Sequence, residues 1–215
     1  MAGRKTIGYC SLMEHDDWPR RIAHSVGRQV NRLRNSKRPK MSAQQLADEC
    51  SRLGSAISRS TIAKLESGSR AFVTLDEVLV MAVALDVPPA LLIAAVGTRQ
   101  DAEVLPGQNL SPWDAARWFA GAVSIEESDG KLSAVPAGAD DLLVRFYMHD
   151  DLVQEILDTP PNEGYSDPVT GQIDYTRRRL NTRLKADRAR MRGEGIVPPS
   201  LPAELRHLDD DQRAM

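Results

Sequence analysis

The chain has 215 residues, of which 41% are hydrophobic and 27% charged, with a formal net charge of −2 and an isoelectric point near 6.1. This is the composition of a globular protein with apolar material for one domain or two small ones, and no apolar run approaches the ~18 residues of a membrane span. The stretch Ile7–Met13 behind Arg4 and Lys5 is too short and too polar for a secretory leader, so a cytoplasmic protein is expected, with Cys10 and Cys50 as isolated reduced thiols.

The small net charge conceals a segregation. Residues 1–70 hold fourteen Lys and Arg against six acids, a net of +8, whereas residues 71–171 hold four against seventeen, a net of −13; the remainder is +3. The first third would attract a polyanion and the middle would repel one. Ordinary solvated helices also carry such charge, so the pattern alone names no partner.

Periodicity predicts a helix over Pro19–Asn35, with Ile22, Val26, Val30 and Leu33 on one face and arginines elsewhere. Ser42 with Gln45 three residues on is a capping-box signature, followed by Leu46, Ala47, Cys50 and Leu53 inward until Gly54. Ser58 caps a third, short helix that turns Ile62 and Leu65 inward and stops at Gly68. Thr74 caps a fourth, for which Leu75, Val78, Leu79, Ala82 and Leu85 are expected inward, so that every apolar stripe of residues 1–96 is used to close the core. Pro88 opens a fifth through Leu91, Leu92 and Ala95.

Beyond this cluster, Ser111-Pro-Trp-Asp opens a short helix ending near Gly121. Its Trp113, Trp118 and Phe119 read as a hydrophobic anchor or, alternatively, as the lining of a ligand pocket. Residues 122–138 read as loop, with a hairpin conceivable at Ser128-Asp-Gly. A helix is predicted over 140–158 with Leu142, Phe146, Val153 and Ile156 on one face, ended by Thr159-Pro-Pro; His149-Asp-Asp has no companion cluster that would make it a metal site. A turn at Asp167-Pro-Val-Thr-Gly leads to a polybasic helix that Asp174 caps and that ends near Gly193, with Leu180, Leu184 and Met191 on one face. The proline-rich stretch after it and the acidic end read as an extended tail.

Three segments in order, Met41–Ala47, Ser58–Gly68 and Thr74–Pro88, carry a family resemblance. They are similar to the phage-repressor and Cro-like (XRE) helix-turn-helix domains: Leu46-Ala47 in the first motif helix, Ser58-x-x-x-Ile62-x-x-x-Glu66-x-Gly68 in the second, and the Leu/Ala pattern of the helix after it. Asp48–Ile57 is several residues longer than the shortest turns of that family and resembles the turn of actinobacterial members. The resemblance covers roughly residues 20–96 and implies a five-helix DNA-binding domain at 19–97. With the helical patterns beyond it the expected fold is all-α, the remainder being a linker with a short helix at 98–138, a helical region at 139–195 and a tail at 196–215.

In this motif the second helix enters the major groove N-terminus first. The outward set is then Arg59, Ser60, Ala63 and Lys64, of which Arg59, Ser60 and Lys64 are expected to read bases. Ser42, Gln44, Ser58, Thr61, Ser69 and Arg70 are expected at phosphates, and Glu66 as a partner inside the motif. The same serines would cap any helix and the same cations would decorate any surface. No P-loop, GxGxxG, HExxH or GxSxG motif is present, so neither catalysis nor a cofactor is expected. Two functions fit: a transcriptional regulator of double-stranded DNA whose C-terminal half dimerises through 140–193 or senses a signal, or an antitoxin or adaptor in which the helix-turn-helix is secondary.

Overall fold

The computed structural model describes residues 17–160 and 175–209. Two compact units divide the chain between Pro136 and Ala137. Five helices open the first: α1 (Trp18–Ser36), α2 (Ala43–Arg52), α3 (Arg59–Glu66), α4 (Leu75–Leu85) and α5 (Pro89–Ile93). Their starts follow local chemistry. Ser42 Oγ accepts from Gln45 N at 3.1 Å while Gln45 Oε1 accepts from Ser42 N at 2.7 Å, and Ser58 Oγ accepts from Thr61 N at 3.1 Å. Glu77 closes the start of α4 by accepting from Thr74 N.

Val26, Val30, Leu46, Ile62, Leu65, Met81, Leu85 and Leu92 form the centre of the first core, each at 1% exposure or less. Each contributes roughly 1.5–3 kcal/mol by leaving water. Gly27 lets α1 approach α3: a Cβ there would lie 2.0 Å from the carbonyl oxygen of Leu65. No side chain fits at that crossing.

One expectation about this core is corrected. On α4 the buried residues are Val78, Met81, Ala82, Ala84 and Leu85, whereas Leu75 is 68% and Leu79 45% exposed. The segment Leu75–Leu85 is apolar almost all round, so periodicity does not choose between two stripes, and the one containing small alanines is the one that packs closely. With Val83 and the preceding Phe72 also exposed, an apolar stripe of α4 is left outside the core.

The all-α expectation is corrected as well, because residues 98–138 contain two antiparallel hairpins. Strands β1 (Ala102–Leu105) and β2 (Gln108–Leu110) pair, as do β3 (Val123–Ser128) and β4 (Lys131–Pro136), with α6 (Pro112–Phe119) between them. Asp129 and Gly130, both at positive φ, make the tight turn of the second hairpin. Ala94, Ala102, Val104, Leu110, Ala115 and Ala116 form a second core here, with Trp118 packed against it, while Trp113 stays exposed. Arg21 grips both oxygens of Glu103 at 2.7 Å, tying α1 to β1 and holding the Glu103 carboxyl below its usual range.

The second unit packs α7 (Leu142–Asp158) and α8 (Thr176–Gly193) with a 3-10 turn, η1 (Ala203–Leu208). Its core joins Leu152, Ile156, Leu180, Leu184, Leu201, Leu205 and Leu208. The inward face of α7 is Arg145, His149, Leu152 and Ile156, whereas the expected Leu142 is half exposed. On α8 Leu180, Leu184 and Met191 are buried, and Arg188 joins them at 2% exposure. The expected extended tail is corrected too, since Leu201, Leu205 and Leu208, spaced four and three apart, bury against α8 as far as Asp209. The turn expected at Asp167–Gly171 and the Asp174 cap lie outside the described residues.

Candidate nucleic-acid interface

Helices α2 and α3, joined by Leu53–Ser58, form the motif. Ile57 in the joining segment is 5% exposed and Gly54 turns at φ 91°, so the longer connection is pinned to the core. Behind α3, Glu66 accepts from Arg34 Nε and Nη2 at 2.9 Å each and from Asn31 Nδ2 at 2.8 Å. Arg34 Nη1 also donates to the carbonyl of Met41, just ahead of α2. One largely buried ion pair therefore positions both motif helices on α1, and Glu66 is a structural partner whose contacts lie on α1 rather than inside the motif. At the far end Gly68, at φ 73°, turns the chain beneath His24, where a Cβ would lie 2.9 Å from the imidazole.

With Ile62 and Leu65 inward, α3 presents Arg59, Ser60, Ala63 and Lys64 to solvent. Among the described residues neither Arg59 nor Lys64 side chain has an ion-pair or hydrogen-bond partner, so both cations are free for an external anion. Their freedom contrasts with Arg34 and Arg52, which are held by Glu66 and Glu49.

The residues expected at phosphates fall into different situations. Ser42 and Ser58 lie at exposed N-caps, where their hydroxyls are already taken by the first turns, leaving backbone N–H groups for an anion. Thr61 Oγ1 and Ser60 Oγ each lie within 2.9 Å of Ser58 Oγ, which ties the start of α3 into one hydroxyl cluster. Gln44 is exposed and donates to Asp48 at 2.8 Å. Ser69 donates to the carbonyl of Lys64 and so closes the C-terminus of α3. Arg70 spends Nη1 on both oxygens of Glu77 at 2.8 and 2.9 Å, with its guanidinium carbon 5.7 Å from the Phe72 ring centroid. Arg70 thus links the segment after α3 to α4.

Sequence reading missed Gly27, Asn31 and Arg34. Gly27 sits among helix-forming residues with nothing local to mark the crossing, and Arg34 looked like one more solvated cation. Their partners lie 32 to 38 positions away in sequence, beyond the reach of local pattern.

Comparison with known proteins agrees with this geometry. No curated protein and no solved structure matches the chain. Residues 25–94, the span that contains α2, the turn and α3, match the family model described as a helix-turn-helix domain.

Proposed function

We propose that the protein is a sequence-specific, double-stranded-DNA-binding transcriptional regulator of the XRE type, cytoplasmic and without catalytic activity or cofactor. The observation that carries this reading is the outer face of α3: Arg59, Ser60 and Lys64 exposed on its first two turns, the two cations unpaired, on a helix held from behind by Glu66 and Arg34. Laid in a major groove, Arg59 offers its fork to the O6 and N7 of a guanine, and Lys64 reaches a second base edge or a phosphate. Ser42, Gln44, Ser58, Thr61 and Ser69 flank the backbone. Arg70, bound to Glu77, contributes its remaining donors and the shape of the turn after α3.

A single motif covers one half-site, and the protein reaches a full operator as a homodimer held through residues 140–193. Leu142, Leu143 and Tyr147 leave α7 with exposed apolar surface, each between 47% and 50% exposed, which supports that placement. Among the described residues no helix is long and apolar enough to cross a membrane.

Salt titration of DNA binding tests the reading. Neutralising several phosphates makes log K fall with log salt at a slope of about −0.9 per contact. The expected result is a steep slope on duplex DNA; a flat one excludes α3 as a DNA reader and favours the adaptor function.

A further inference from the structure

In Arg21, Arg34, Arg52 and Arg188 the edge formed by Nε–H and Nη2–H grips both oxygens of one carboxylate, from Glu103, Glu66, Glu49 and Asp209 respectively. Arg145 on α7 departs from this pattern. Its side chain is 8% exposed and its Nη1 donates to Glu194, yet Nε and Nη2 are buried without a hydrogen-bond partner among the described residues. A buried charged fork left open at an edge that fits a carboxylate or phosphate is a feature a fold rarely keeps unless something fills it.

The surroundings supply the rest of a site. Arg145 lines a cavity of about 390 Å³ together with Arg183 and Arg190 from α8 and the apolar side chains of Met148 and Leu152. Asp140 and Asp187 also line it, and Asp187 is engaged by Arg190 at 3.4 Å, so the open fork, rather than net charge, provides the selectivity. The volume lies at the small end of the range for ligand pockets.

We infer that this cavity binds a small organic anion, with two oxygens of a carboxylate or phosphate group on the Nε–Nη2 edge of Arg145 and a short apolar body against Met148 and Leu152. Arg145 lines the cavity while Nε and Nη2 are themselves buried, so occupancy of the open edge requires a side chain to move. Met148, unbranched and half exposed, is the adaptable one. Binding at this cavity is measured without DNA, so its failure leaves the DNA-binding reading untouched.

Calorimetric titration of the full chain at fixed ionic strength, with sodium benzoate and phenyl phosphate as probes and benzyl alcohol as the uncharged control, decides it. At least one anion is expected to give a saturable 1:1 isotherm while benzyl alcohol gives none; which anion responds separates the carboxylate from the phosphate source. Arg145→Gln should weaken that binding about tenfold or more, and Arg183→Gln about threefold. Should Arg145→Gln fail to fold, Met148→Trp fills the cavity with the fork intact and should abolish binding. No saturable heat from either anion up to about 10 mM, or binding that survives Arg145→Gln or Met148→Trp, overturns the site.

Discussion

The helix-turn-helix segment and the C-terminal unit bury faces of different character. In the first, Val26, Leu46, Ile62, Leu65, Met81 and Leu85 meet in an apolar centre, and the largely buried pair Arg34–Glu66 lies at its edge. In the second, Arg188 lies within the fold, donating Nη1 to His149 Nε2 and to the carbonyl of Pro199, each at 2.7 Å, and holding Asp209 through Nε and Nη2 at 3.0 and 2.9 Å. Arg192 meets the same carboxylate. The first region is stabilised by burial that tolerates modest repacking. The second depends on a polar network in which each member leaves others unpaired if removed.

The largest expected effect separates the two modes. Arg188→Ala removes the hub of the network and should cost the C-terminal unit about 3–5 kcal/mol, toward the lower end because Asp209 keeps a third of its surface in water. Hydrogen exchange should then show lost protection over α8 and Ala203–Leu208, with α1 to α4 unchanged. Equal loss in both regions would mean that the two do not differ in this way.

Next comes Gly27→Ala, which forces a methyl into the Leu65 carbonyl and should cost the helix-turn-helix about 2–3 kcal/mol. The same exchange experiment should now show the mirror result. A melting temperature unmoved by this change would refute the close crossing of α1 and α3.

A smaller effect is expected from pH. Burial, aided by the Arg188 charge, holds the His149 imidazole below its ordinary value near 6.5, against the raising pull of Asp150 and Asp187. The unfolded chain therefore takes up the proton first. The stability this provides is fully present above about pH 6.5 and declines as pH falls from there toward the folded-state value. Thermal melts between pH 8 and pH 5 should show that decline for the C-terminal unit, and His149→Gln, which keeps an acceptor but does not titrate, should flatten it. The Asp209 carboxyl, lowered chiefly by Arg188, adds a loss only below pH 3.8.

Smallest in stability, within about 0.5 kcal/mol, are surface changes that test the proposed self-association. Leu143→Lys on α7 should make the protein sediment as a monomer, while Leu79→Lys on the exposed stripe of α4 should leave the dimer intact. The opposite outcome would move the dimer to α4.

These regions also differ in how much their sequences reveal. Capping residues Ser42, Gln45, Ser58 and Thr74 act within three positions, so the starts of α2, α3 and α4 were legible, as were the inward Ile62 and Leu65 and hence the outward Arg59 and Lys64. Where all faces of a helix are apolar, as on α4, periodicity does not choose between stripes. On α8 the expected apolar face, Leu180, Leu184 and Met191, is the one that buries, and only the charged Arg188 on that face was not legible. On α7 Ile156 was rightly expected inward, whereas Arg145 and His149 take inward positions that an apolar pattern does not mark and Leu142 stays half exposed. The hairpins at 102–110 and 123–136 were hard to read because their strands have three to six residues and little alternation. The prolines near residue 200 suggested an extended tail, masking the spacing of Leu201, Leu205 and Leu208.

The proposed regulator depends on α3 reading bases through Arg59. Selection of bound duplexes from a randomised pool, carried out in parallel with the wild type and Arg59→Ala, tests this directly. The wild type should enrich a defined half-site, and Arg59→Ala should lose preference at one guanine-containing position at a cost of about 1–3 kcal/mol on the original site, keeping the preferences elsewhere. If Arg59→Ala instead weakens binding to all sequences equally and leaves the enriched half-site unchanged, Arg59 is a phosphate contact and α3 does not read the groove as described.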